Sequence, residues 1–190
     1  RVAFAGEVFR SQKEQSSKAP KALRPKADGR KPTTDNQKPM TNLSKTMVNR
    51  EDFKVWCPLG IRYADIDMQQ VVYCSHYLVY YDEAIMVYLQ NCGYGYTAEA
   101  EATGKDFQFV QVNVTYRQPL RYTDELRIGV RIDRLGSSSI TWSLAIFRND
   151  EAEPASSTEI VWVYVEMTKG KSTPIPETLR SRLLNPVASA

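Results

Sequence analysis

The stretch from residue 61 to residue 88 most constrains the fold of this 190-residue chain, because it joins an alternating segment to a long amphipathic one. It reads IRYADIDMQQVVYCSHYLVYYDEAIMVY. The first part alternates like a strand and brings two carboxylates, Asp65 and Asp67, to its end. A short loop leads into a helix predicted over residues 75–91. The stretch therefore predicts a carboxylate beside a helix N-terminus, where backbone N–H groups stabilise a developing oxyanion.

The predicted helix over residues 75–91 has one apolar face. Its apolar side chains recur at the spacing of an α-helix, and a stop signal, Gly93, follows them. Residues 97–103 predict a second, short helix. The residues of the apolar face are Tyr77, Tyr80, Tyr81, Ala84, Ile85, Tyr88 and Leu89.

The remaining regular segments predict an antiparallel sheet. Pro58-Leu59-Gly60 interrupts the first strand and predicts a bulge or kink there. Runs of consecutive strands with one long helix to cover them indicate an α+β fold, with the helix along the concave face of a strongly curved sheet. The predicted strands span residues 53–67, 107–117, 124–133, 139–148 and 157–168, and a terminal helix is predicted over 174–184.

Charge divides the chain into two parts. Residues 1–50 have a net charge of +8 and the remainder has a net charge of −5. The basic character belongs to the N-terminal part, so it gives no support for nucleic-acid binding by the folded domain. We predict a disordered tail over residues 1–50 and a folded domain over 51–190. The tail has the composition of a targeting peptide, or of sequence upstream of a true start at Met40 or Met47.

Other features bound the compartment and the chemistry. No apolar run approaches the roughly 20 residues of a membrane helix, so no membrane insertion is expected. Three cysteines at irregular spacing favour a reducing compartment over a disulfide framework. The predicted location is the cytoplasm, or a plastid or mitochondrion if residues 1–50 are a transit peptide. A single histidine and no ligand spacing predict no metal site and no cofactor.

Two motifs resemble the 4-hydroxybenzoyl-CoA thioesterase family of hotdog-fold proteins. The first is YADID, VVY and YLVYYDEA within residues 63–84, and the second is VTYRQPLRYTDEL at residues 114–126. The likeness covers roughly residues 54–168. It implies a hotdog fold, hydrolysis of an acyl thioester of coenzyme A or of acyl-carrier protein, and a homodimer or homotetramer with its site between subunits.

The resemblance also implies roles for individual residues. Asp67 matches the family's catalytic carboxylate, acting as nucleophile or as the base that activates water. Backbone N–H groups near Tyr73 and Cys74 would hold the thioester oxygen. His76 is a candidate general acid or base, or else a first-turn helix residue with a satisfied ring. From spacing alone, Asp67 could equally cap the helix or face water.

The sequence departs from the family pattern at three positions. Gln70 stands where members commonly have Gly, Cys74 where some have His, and His76 where many have Asn. Gln70 would either narrow the site or provide it with a side-chain amide. The further candidates for substrate binding are Tyr63, Tyr77, Arg117 and Arg121, of which the arginines would meet coenzyme A phosphates.

Two other functions remain open. A hotdog module that binds acyl-CoA without turning it over fits the replacement of Gly by Gln70. An enoyl-thioester hydratase would need a positioned histidine, which His76 could supply. The acyl group is not predicted; Trp142 and Trp162 are candidates for the floor of an acyl tunnel, or for core residues.

Overall fold

The computed structural model describes residues 48–187, which form one antiparallel sheet and three α-helices. Strands that alternate in sequence pair in the sheet, and the long amphipathic segment forms its main helix. The elements are a 3-10 helix at Arg50–Asp52, β1 (Val55–Gly60), a 3-10 helix at Tyr63–Asp65, α1 (His76–Asn91), α2 (Tyr96–Thr103), β2 (Lys105–Tyr116), β3 (Glu125–Leu135), β4 (Ser139–Arg148), β5 (Ser156–Glu166), β6 (Lys171–Ser172) and α3 (Glu177–Leu184).

The sheet has the strand order β1-β3-β4-β5-β2, with the short β6 paired to β5. All of its pairs are antiparallel. Helix α1 lies against β1 and β3 and buries the seven apolar residues that its periodicity predicts. The curled sheet with its helix confirms the predicted α+β hotdog fold. Trp142 and Trp162 both lie in the core, with ring centroids 5.7 Å apart.

The prediction of one strand over residues 53–67 is wrong at both ends. Strand β1 ends at Gly60, and the chain then turns through a 3-10 helix. The predicted bulge at Pro58-Leu59-Gly60 is absent, since these residues pair in unbroken register with β3. Strand β1 forms an edge of the sheet, where a proline that lacks an N–H is tolerated. The irregularities of register lie elsewhere, at Val110 in β2 and Asp133 in β3.

A small second cluster covers the face of the sheet opposite α1. Phe53 packs there with Val48 and Phe147. Its ring lies directly over Gly129, where an added Cβ would meet it at 2.4 Å, so this close approach requires glycine. Packed residues thus reach to Val48, slightly before the predicted boundary at residue 51.

Most of the tail predicted over residues 1–50 falls on residues 1–47, which lie outside the described residues, and so does its possible targeting role. Within residues 48–187, no helix has both the length and the apolar character needed to cross a membrane.

Candidate active site

Asp67 lies at the base of a tight loop between the 3-10 helix Tyr63–Asp65 and α1. Its backbone N–H donates to Val71 O at 2.9 Å, and its carbonyl accepts from Gln70 N at 3.0 Å. The flanking residues Ile66 and Val72 form a single antiparallel bridge. These bonds fix the backbone of Asp67, so the position of its side chain depends on little besides its own rotamer.

Gln70 adopts the conformation for which glycine is best suited. Its φ angle is +62°, in the left-handed region. A side chain there costs of order 1 kcal/mol, whereas glycine visits this region freely. The loop therefore keeps the backbone geometry that the family's usual glycine would allow, and Gln70 adds an exposed amide to it.

The two carboxylate oxygens of Asp67 differ in their surroundings. Oδ1 accepts the N–H of Gln69 at 2.8 Å and, more weakly, that of Val71 at 3.5 Å. Oδ2 accepts no hydrogen bond from the residues that the structure describes. Asp67 thus closes its own loop rather than capping α1. One oxygen anchors the group and the other remains available for chemistry.

Asp65 is buried and serves as an anchor, which the sequence analysis did not anticipate. It is only 1% exposed. Its carboxylate accepts three hydrogen bonds from the Arg62 guanidinium, the shortest at 2.8 Å, one from the Arg62 backbone N–H at 3.1 Å and one from Tyr80 Oη at 2.8 Å. The bonds from Arg62 outweigh the desolvation that opposes them and, with the Tyr80 hydroxyl, lower the pKa of Asp65 to about 2.

The strand predicted to extend to residue 67 would place Tyr63, Asp65 and Asp67 on one face, because alternate residues of a strand point to the same side. The structure does not have this arrangement, since Tyr63 and Asp65 lie in a 3-10 helix. Its tighter turn directs the Asp65 side chain into the protein, while Tyr63 remains 84% exposed.

His76 pairs with Asp65 rather than with Asp67. Its Nδ1 lies 3.5 Å from Asp65 Oδ1, and its ring meets the edge of Tyr73 at 6.2 Å between centroids. His76 also begins α1. This placement agrees with the interpretation of His76 as a helix-entry residue whose ring has a partner.

The turn before α1 carries the candidate oxyanion donors. The N–H of Tyr73 donates to Asp65 O at 2.9 Å and is therefore occupied. By contrast, the N–H groups of Cys74 and Ser75 make no hydrogen bond within residues 48–187. Tyr116 Oη donates to Cys74 O at 3.0 Å and so holds this peptide in place. Of the two predicted donors, Tyr73 is therefore unavailable and Cys74 remains a candidate, with Ser75 beside it.

Two open grooves of about 540 Å³ each meet at Asp67. We name each after one of its residues. The Arg121 groove is lined by Tyr63, Ile66, Asp67, Gln70, Arg121, Tyr122 and Thr123. The Tyr116 groove is lined by Asp67, Met68, Gln69, Val71, Val72, Tyr73, Cys74, Tyr77 and Tyr116.

Most of the predicted site residues come together in these grooves, but His76 and Arg117 line neither. The Arg117 guanidinium donates to Ser157 Oγ at 2.8 Å, and Arg117 lines a separate recess of about 30 Å³. Tyr77 is largely buried, and its hydroxyl accepts the N–H of Leu120 at 3.2 Å.

Sequence reasoning missed Tyr116 and Tyr122 as groove residues. Tyr116 is far from Cys74 in sequence, so only the pairing of β2 with the rest of the sheet brings its hydroxyl to that carbonyl. Tyr122 follows Arg121 inside the second family-like motif, and that neighbourhood was the one signal for it.

A metal site has no candidate ligands in the part of the chain that the structure covers. Residues 48–187 contain no group of three or more His, Cys, Asp or Glu side chains arranged to hold an ion.

Comparison with known proteins places the chain in a family. Residues 61–183 match the thioesterase-like superfamily. A solved protein of Pseudomonas aeruginosa is 26% identical with a TM-score of 0.66, covering 76% of this chain and 99% of its own. A thioesterase of Thermus thermophilus, solved with coenzyme A and zinc, is 28% identical with a TM-score of 0.60, covering 70% of this chain and 93% of its own.

A third solved structure supports the fold alone. The 1,4-dihydroxy-2-naphthoyl-CoA thioesterase of Synechocystis is 16% identical, with a TM-score of 0.65, and covers 69% of this chain and 96% of its own. The family match spans the Asp67 loop, α1 and the strands from β2 to β6. The chain therefore belongs to the thioesterase-like superfamily of hotdog-fold proteins.

Proposed function

We propose that this protein hydrolyses acyl thioesters, with Asp67 as the catalytic carboxylate. The observation that carries the proposal is the position of Asp67 where two grooves meet, with Oδ1 anchored and Oδ2 without a described partner. A bound thioester would place its carbonyl at this junction. The anchored oxygen limits side-chain motion, so less entropy is lost on reaching the reactive geometry.

The chemistry needs only a carboxylate and oxyanion donors. Asp67 Oδ2 either attacks the thioester carbon directly or removes a proton from the water that attacks it. In the first case an acyl-aspartyl anhydride forms, the C–S bond breaks, and water then hydrolyses the anhydride to release the acid. In the second case the carbon–oxygen bond to water forms as Asp67 takes the proton, and the tetrahedral intermediate then breaks its C–S bond to release the thiolate, which receives that proton. In both cases the products are a carboxylic acid and a thiol.

The oxyanion of the tetrahedral intermediate would be stabilised at the start of α1. The N–H groups of Cys74 and Ser75, which have no partner within residues 48–187, lie where the helix dipole is positive. Loss of one such donor typically lowers the rate about 10²- to 10³-fold. Tyr116 supports this arrangement because its hydroxyl holds the Cys74 carbonyl.

We further propose that the working form is an assembly of copies, a dimer or a tetramer built from dimers. Strand β2 is a 12-residue edge of the sheet, and its exposed side chains include Phe109, Val110 and Val112. Proteins rarely leave so long an apolar edge uncovered. Tyr116 ends this strand and lines the groove at Asp67, so a second copy on β2 would wall that groove.

Replacing Asp67 by Asn tests the enzymatic proposal. The change keeps the size of the side chain and the acceptor for Gln69 N, but removes the negative charge. Across a panel of aromatic and aliphatic acyl-CoA and acyl-carrier-protein esters, we expect thiol release to fall by at least about 10³-fold. Binding of the ester, measured by calorimetry, should be retained. Asp150→Asn is the matched control, since Asp150 is an exposed loop carboxylate.

A binding module without turnover is the alternative that a structural observation favours. Asp67 Oδ1 has a purely local role in closing its loop, and that role alone would explain the residue. Thiol release by the wild type no faster than the uncatalysed rate, with acyl-CoA bound by both the wild type and Asp67→Asn, would support this alternative. Hydration of an enoyl thioester has less support, because His76 pairs with Asp65 and lines neither groove.

A further inference from the structure

Two exposed tyrosines form an aromatic ledge in the Arg121 groove. Tyr63 is 84% exposed and Tyr122 is 57% exposed. Their rings meet edge to face, with centroids 6.4 Å apart. Large aromatic faces left to solvent beside a candidate catalytic residue indicate a binding surface. A flat ring is the surface on which a nucleobase stacks, whatever the base.

A free cation lies in the same groove. The Arg121 guanidinium makes no hydrogen bond or ion pair with any described residue. Its backbone is nevertheless fixed, because Arg121 N donates to Asp124 Oδ2 at 2.8 Å and Arg121 O accepts from Asp124 N at 2.9 Å. An anchored backbone with an unpaired guanidinium suits a phosphate, which arginine binds in a bidentate manner.

The other groove lacks these features. No lysine or arginine lines the Tyr116 groove, and its walls are mainly apolar, including Met68, Val71 and Tyr73. A thioester at Asp67 has two arms, one apolar and one that ends in phosphates and a base. The two grooves differ in the same way, and both reach Asp67.

We propose that the Arg121 groove binds the nucleotide end of coenzyme A, with Arg121 on a phosphate and the base against Tyr63 and Tyr122. The inference rests on the proposed thioesterase function and adds an orientation to it, since the acyl group then occupies the Tyr116 groove. It also selects a substrate class. An acyl-carrier-protein ester has the phosphopantetheine arm but no adenine, so the tyrosine ledge would be used by coenzyme A esters alone.

The test compares two esters of the same acyl group, the coenzyme A ester that the panel shows to be turned over fastest and its N-acetylcysteamine counterpart, which lacks the nucleotide. Arg121→Gln and Tyr122→Leu should each lower kcat/KM for the coenzyme A ester by about tenfold or more. Both variants should leave the N-acetylcysteamine ester within about twofold of the wild type. Arg127→Gln is the matched control, since Arg127 is an exposed arginine on β3 that lines neither groove.

Adenosine 3′,5′-bisphosphate provides a readout that does not depend on turnover. Calorimetry with the Asp67→Asn protein should detect its binding, and adding Arg121→Gln should weaken that binding by about tenfold or more. If Asp67→Asn retains activity, the proposed function fails, but this titration still tests the groove.

Three results would overturn the assignment of the groove. The first is an equal loss for both esters, which would mean that Arg121 and Tyr122 act on the fold or on the chemistry. The second is an adenosine bisphosphate affinity that does not change with Arg121→Gln. The third is an equal fall in kcat/KM for the acyl-carrier-protein ester and the coenzyme A ester when Tyr122 is replaced by Leu. Since the acyl-carrier-protein ester has no base, the tyrosines would then not recognise one.

Discussion

The buried carboxylate of Asp65 should make the free energy of unfolding depend on pH, and Asp65→Asn should remove that contribution. Its pKa falls from the usual 3.8 to about 2 in the folded protein, chiefly because of the hydrogen bonds from Arg62. Each tenfold change in proton affinity corresponds to about 1.4 kcal/mol. Arg62 is itself largely exposed, so solvent screens part of the pair. We therefore expect Asp65→Asn to lower the free energy of unfolding by about 1 to 2 kcal/mol at pH 7.

The sign of the pH effect follows from the direction of the shift. A carboxyl whose folded pKa is lowered contributes its full stability above its unfolded pKa, near 4, and loses it as the pH falls towards 2. Urea unfolding at pH 7, 4 and 2 measures this directly. The difference between wild type and Asp65→Asn should shrink to a few tenths of a kcal/mol at pH 2.

Two further variants sharpen this measurement. Arg62→Met should reproduce most of the loss at pH 7, because it leaves the carboxylate buried without its main partner. Asp150→Asn should have no effect at any pH. If the free energy of unfolding of Asp65→Asn is lower than that of the wild type by the same amount at pH 7 and pH 2, the electrostatic explanation is refuted. The loss would then come from packing or from hydrogen-bond geometry.

Two other predictions concern the loop and the sheet edge. Gln70→Gly should raise the free energy of unfolding by about 0.5 to 1 kcal/mol, because the φ of +62° suits glycine. Gln69→Gly, at the neighbouring position without a positive φ, should lower the free energy of unfolding. Equal effects of the two substitutions would contradict the reasoning. Val110→Lys on the exposed edge of β2 should shift sedimentation velocity towards monomer and lower specific activity, since like charges oppose edge pairing. Val187→Lys, at another exposed position, should change neither the sedimentation nor the specific activity. A wild type that sediments as monomer at the assay concentration would refute the proposed assembly.

Most of the fold could be predicted from periodicity, because burial fixes which side chains face the core. The helical spacing of residues 77–89 identifies every buried residue of α1, and β4 lies at the predicted residues. The strand prediction over residues 53–67 fails after Gly60 for a physical reason. Residues 61–67 alternate like a strand, but the carboxylate of Asp65 gains more from Arg62 and Tyr80 inside the protein than from solvent on a strand face.

The candidate site could be predicted less completely, because its geometry depends on tertiary contacts. The motif identified Asp67 and its neighbourhood, and the loop places Asp67 at the junction of two grooves. The occupied N–H of Tyr73 and the contact between Tyr116 and Cys74 arise only when distant segments meet. No local pattern contains that information.

The hydroxyl of Tyr116 connects β2, at the edge of the sheet, directly to the turn that precedes α1. The same residue ends the edge strand β2, and its hydroxyl donates to the Cys74 carbonyl in the turn that carries the proposed oxyanion donors. Any shift of that strand, whether from docking, dissociation or substitution along it, would be transmitted through a single hydrogen bond to the Cys74 peptide. Quaternary state and catalytic competence would then be properties of one continuous structural unit, and purified fractions that differ in mass should also differ in turnover.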